Sequence, residues 1–267
     1  MALTDPAREL VFTLEQLADL HNQKLDRKIA QVAKVEEWSA DFFKVIFYLI
    51  DRFDLLAREI EELDLDDDIK DDALRSIATM RSVFSSKSML SQTTEQTNPR
   101  ITGANATVLK MLSAQVRKRV FWHKLSNEER DSVLHDVDTL VSWLSDFQTE
   151  EKDFIRQALI DGLKEFRFRL ERLHWFGSGY PIESLREVIH AYLALEGARS
   201  LSGEDEISSA ILKRTSGFLK KIFDIIDVAK DNTERADWIL RAYGAVSALS
   251  DGTATISGLL GSPTGNC

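Results

Sequence analysis

Apolar side chains recur every three or four residues through most of the first sixty positions. Leu10, Leu14, Leu17, His21, Leu25, Ile29 and Val32 form one stripe, and Phe42, Ile46, Leu49, Phe53, Leu56, Ile60 and Leu63 form a second. Such steps line one face of a 3.6-residue helix and fit no alternating strand. Neither glycine nor proline occurs between Pro6 and Pro99, so the commonest punctuation of turns and strands is missing. The first stripe predicts a helix opening at Pro6 with Asp5 as its cap. The second predicts a helix starting near Ser39 or Asp41, and Asp66 to Asp68 cap a third holding Ile69, Leu74, Ile77 and Phe84.

The pattern fades over residues 85–106, which are rich in serine and threonine and poor in apolar side chains. This stretch reads as a polar loop or linker. It divides an N-terminal long-helix region, residues 1–84, from a C-terminal helical bundle, residues 107–249. Within the bundle, Leu109, Leu112, Val116 and Val120 mark one helix. Ser126-Asn127-Glu128-Glu129 is a capping box opening the next, which carries Val133, Val137, Leu140, Leu144 and Phe147. Thr149 caps a helix running through Leu159, Leu163, Phe166 and Leu170 to a stop at Gly177. Pro181, Ser202 and Asp231 or Asn232 open three more. Residues 250–267 form a tail of glycine, serine and threonine. The prediction is an all-α, multi-helix bundle of about eight to nine helices, without a regular solenoid repeat.

Composition narrows the function. The chain has 267 residues, enough to bury a core without disulfide staples, and its one cysteine, Cys267, has no internal partner. No secretory signal is visible at the N-terminus, so a reducing, cytoplasmic location is expected. The net charge of −10 is concentrated in residues 1–100, where 20 acidic residues face 13 basic ones. A nucleic-acid-binding domain carries a basic balance instead. Arg117, Lys118 and Arg119 ahead of Phe121 and Trp122, and the run Phe166-Arg167-Phe168-Arg169, interleave bases with aromatics, but they sit within helical stripes whose aromatics face the core.

Three constellations could hold a metal. Glu171 with His174, and Glu187 with His190, repeat the Glu-x-x-His spacing of di-metal carboxylate bundles. On the second helix, however, Leu185, Val188, Ile189 and Tyr192 form the apolar stripe, which puts Glu187 and His190 on the polar face. Asp64-Leu65-Asp66-Asp67-Asp68 imitates a calcium loop but has Ile69 where glycine is required. Asp131, His135 and Asp138 share one helix face without a second cluster. No serine has a nucleophile-elbow context. No cofactor, metal, nucleic acid or small-molecule substrate is therefore expected.

The C-terminal third carries the remaining signal. Lys213, Lys220 and Lys221 oppose Phe218 and Ile222 in an amphipathic segment, as in helices lying at a membrane surface. Gly244, Ala248, Gly252 and Gly258 place small residues at helix-packing intervals. The expected function is non-catalytic: a helical protein working through contacts with a protein partner or with itself. The alternative is a membrane-active effector using residues 207–261, associating with membranes under some condition. A di-metal enzyme comes third.

Overall fold

The computed structural model describes residues 4–18, 23–119, 124–146, 153–177, 180–202 and 206–226. Among them every regular element is helical, and the one β feature is an isolated bridge between Lys24 and Thr93. The all-α class follows directly from the 3.6-residue periodicity. The chain divides into two compact units, unit 1 comprising residues 1–124 and 172–179 and unit 2 comprising residues 125–171 and 180–267.

Unit 1 holds α1 (Pro6–Leu17), α2 (Leu25–Ala33), α3 (Ala40–Glu61), α4 (Asp67–Ser82), α5 (Lys87–Leu90), α6 (Thr94–Ile101), α7 (Gly103–Arg119) and the single turn α10 (Leu173–Phe176). Pro6 starts α1, and the Asp5 carboxylate accepts from the Arg8 amide at 3.1 Å, the expected cap. Its other oxygen takes the Ser113 hydroxyl at 2.7 Å, fastening α1 to α7. The long stripe of α3 is buried from Phe42 to Ile60. The Arg81 guanidinium grips Asp54 through two nitrogens, at 2.7 and 3.0 Å, and so ties α4 to α3.

Two expectations need correction here. The first stripe is not one helix: α1 ends at Leu17, α2 begins at Leu25, and His21 lies outside the described residues. Long-range backbone pairing replaces helix continuation at the break, because Gln23 accepts from the Thr94 amide at 2.8 Å and the Leu25 amide donates to Gln92 at 2.9 Å. Residues 85–106 are likewise no linker, since they contain α5, α6 and the start of α7 inside unit 1. Serine and threonine serve there as helix caps. Ser86 caps α5, and Thr93 with Gln96 forms a reciprocal capping box on α6.

Unit 2 is a ring of four helices, α8 (Asn127–Asp146), α9 (Asp153–Glu171), α11 (Tyr180–Ser202) and α12 (Glu206–Ile226), each packed on the next, with α12 closing on α8. The Ser126–Glu129 box opens α8 as its sequence implies. α9 and α11 approach closely at Gly162, where a Cβ would lie 3.1 Å from a Val188 methyl. Phe166 meets Phe218 edge-on at 6.2 Å in the interior. The helix expected to run to Gly177 stops at Glu171, and α11 continues through Ser202 where a new helix was expected to open. Thr149 and residues 227–267, including the expected helix at Asp231 or Asn232 and the small-residue tail, lie outside the described residues.

Candidate interaction surface

The turn from α2 into α3 holds the positive-φ non-glycine residues found among the described residues. Lys34 and Trp38 both adopt positive φ, 54° and 60°, a region costly for residues with a Cβ. Lys34 ends α2 in the position glycine usually takes, with the Val35 amide closing back onto the Ala30 carbonyl at 3.0 Å. Ser39 then starts α3, its hydroxyl accepting from the Phe42 amide at 3.1 Å and donating to the Glu36 carbonyl at 2.7 Å. The tight turn sets the Trp38 ring beside Phe42 at 5.4 Å and Phe43 at 6.0 Å.

These rings divide between core and solvent. Phe42 is fully buried, whereas Phe43 is 41% and Phe47, one turn on, 61% exposed. Lys87 lies over the Trp38 ring at 5.6 Å. Charged residues border the aromatics: Lys44 pairs with Asp41, and Arg27 with Glu37, each at 3.7 Å. Exposed aromatic side chains inside a mixed-charge border have the composition of a protein-binding patch. Sequence reading followed the buried phase of α3 and passed over this one. The legible signal was Phe43 and Phe47, four residues apart and out of phase with Phe42, Ile46 and Leu49.

The residues singled out for metal binding are not assembled. Glu171, in unit 2, pairs with Arg167 at 2.9 Å, while His174, in unit 1, points Nε2 at the Val32 carbonyl at 3.2 Å. Glu187 and His190 are exposed on α11. Asp131 pairs with Arg130, and Asp138 with Arg167 at 2.6 Å. That hydrogen bond to Asp138, reinforced by the Glu171 charge, raises the Arg167 pKa above its already high ordinary range. No group of three or more histidine, cysteine, aspartate or glutamate side chains suited to a metal occurs among the described residues. Asp66 to Asp68 simply open α4.

The basic segment of α9 and the amphipathic segment of α12 are committed to packing, whereas Arg117 and Lys118 are exposed and Phe121 and Trp122 lie outside the described residues. On α9, Arg167 and Arg169 form ion pairs within unit 2, and Phe166 is buried. On α12, Phe218 and Ile222 lie in the core, Lys213 is exposed, Lys220 half-buried, and Lys221 pairs with Asp136 and donates to Ser132 at 3.1 Å. Arg214 covers the Trp143 ring at 4.3 Å. The apolar face of α12 is thus buried within unit 2. No helix among the described residues is long and apolar enough to cross a membrane. Gly244, Ala248, Gly252 and Gly258 lie outside the described residues.

The fold and the exposed aromatics of α3 therefore define an all-α protein of two helical units with an aromatic patch on one of them. No protein-family model matches the chain, and no match was found among curated proteins or solved structures.

Proposed function

We propose that this protein is non-catalytic and acts by protein–protein contact, with Trp38, Phe43 and Phe47 receiving an apolar helix face of a protein partner. The single observation carrying this reading is the pair of solvent-exposed phenylalanines, one helical turn apart, beside a tryptophan anchored by a costly turn. Exposed side chains contribute little to folding, so their aromatic character serves association better than stability. A backbone held in a sparsely populated conformation fits a surface whose shape is fixed before binding.

The test uses a photo-crosslinking residue at position 47 in the full-length protein, in its own cells, with position 154 as control. Phe154 is 73% exposed, on α9, and belongs to unit 2. Position 47 should capture a discrete protein product, which disappears on Phe43→Ser while thermal stability stays unchanged. Equal, diffuse labelling from positions 47 and 154 would remove the basis for the proposal. Light scattering of Phe43→Ser/Phe47→Ser against the parent protein then shows whether the partner is a second copy.

A further inference from the structure

The Glu171–Tyr180 connection does not simply join α9 to α11. Its residues Arg172–Gly177 belong to unit 1, where three helices receive them. Arg172 donates from Nε to the Ala33 carbonyl at 2.9 Å and from Nη2 to that of Lys34 at 3.2 Å, while the His174 ring lies 3.2 Å from the Val32 carbonyl. Two side chains thereby engage the carbonyls that end α2, the negative pole of that helix. Trp175 donates from Nε1 to the Val45 carbonyl of α3 at 3.2 Å and is completely buried. Phe176 is also buried and meets Tyr48 edge-on at 5.2 Å.

The backbone of this strap is recognised as closely as its side chains. The buried Arg52 guanidinium donates to the Trp175 carbonyl and to the Thr13 hydroxyl. Thr13 shares its own proton between the carbonyls of Glu9, 2.9 Å away, and His174, 3.0 Å away. Gly177 leaves with φ +81°, its missing Cβ directed at Glu9 Oε2, 3.1 Å away, and at the Arg52 guanidinium. A segment met by capping, aromatic burial and backbone hydrogen bonds at once is seated as a bound peptide is.

Connectivity adds the second half of the argument. The strap follows α9 directly and is separated from α11 by residues 178–179 alone, so both of its ends continue into unit 2. The one other covalent link between the units is the stretch from Arg119, which ends α7, to Asn127, which begins α8. This is the topology of segment exchange, in which a structural element detaches about one connection and makes identical contacts in another copy.

We propose that the seat in unit 1 also takes Arg172–Gly177 of a second copy of this chain, giving a reciprocally exchanged dimer in which each copy completes the other's unit 1. The contacts at the seat are the same in both forms. Chain concentration therefore sets the balance between them. This proposal does not rest on the α3 surface, and the two fail separately.

The experiment uses two full-length chains of different tagged size, both carrying Cys267→Ser. One has Val32→Cys and the other His174→Cys, positions brought together by the seated strap. They are refolded together, concentrated and treated with a short bis-maleimide. A covalent product joining the two sizes is expected, its yield rising with concentration. It should be lost when the His174→Cys chain also carries Trp175→Ser and Phe176→Ser. A single chain with both cysteines reports whether the strap is seated at all. Crosslinking confined to that chain, with no joined product in the mixture at any concentration, would overturn the proposal, as would a failure of the double-cysteine chain to link within itself.

Discussion

Gly177 and Gly217 illustrate how one residue type acts in opposite ways. At Gly177 the backbone stands at φ 81° and ψ 155°, a combination almost restricted to glycine, and the space a Cβ needs is taken by Glu9 and Arg52. Gly177→Ala should therefore cost about 1–3 kcal/mol in chemical denaturation. Gly217 lies inside α12, exposed, with open space for 4 Å around the point where a Cβ would stand. Gly217→Ala should stabilise the protein by about 0.5–1 kcal/mol, because alanine restricts the unfolded chain and favours helix. A loss at Gly217, or no loss at Gly177, would contradict these assignments. Trp175 follows a different logic, since removing a fully buried indole forfeits its burial and leaves a cavity. Trp175→Ala should cost about 3–5 kcal/mol by the same measurement.

Between helices, the deciding contacts are fewer than the apolar stripes suggest. At Gly162 the backbone of α11 comes so near that Gly162→Leu should destabilise unit 2 by about 1–3 kcal/mol through overpacking, visible as a lowered thermal midpoint. The Arg81–Asp54 pair joins α3 to α4 but is open to solvent, so Arg81→Met should cost only about 0.2–1 kcal/mol. The hydrogen bond to Asp54 raises the Arg81 pKa. A group raised on folding contributes fully below its unfolded value and loses that contribution only as pH climbs through the folded one, here in strong alkali. The Arg81→Met difference should accordingly be the same at about pH 6 and about pH 8, where a change would implicate some other group. Element type was legible because buried positions on α3, α8 and α9 repeat at helical spacing. The interruptions were less so: Gln23 is held out of helix, and the start of α2 at Leu25 is fixed, by pairing with residues 92–94, partners no local pattern reveals. The Thr93–Gln96 capping box was legible and lay hidden within a stretch whose polar composition suggested a loop. The α3 patch was concealed for a related reason, since a buried stripe explains most of a helix and draws attention from its other phase.

At the scale of the whole chain, unit 1 is assembled from two stretches separated by 47 residues of unit 2. That insertion was invisible to composition, because Arg172, His174 and Trp175 meet partners on α2 and α3 more than a hundred positions earlier. It has a direct consequence for an opened chain. A protease site placed between Lys124 and Leu125 cuts the direct link between the units. The first fragment then carries all of unit 1 except its strap, and the second carries the strap flanked by α9 and α11. Burial of Trp175 and Phe176, together with the carbonyl contacts of Arg172 and Arg52, should keep the fragments associated, and they should elute as one species on size exclusion. Trp175→Ser with Phe176→Ser removes that burial while leaving α9 and α11 unchanged in sequence. If the strap is the principal attachment, the cleaved variant should separate into two species where the cleaved parent does not. Separation of the cleaved parent itself would show that the seat does not hold its strap once the covalent link is gone.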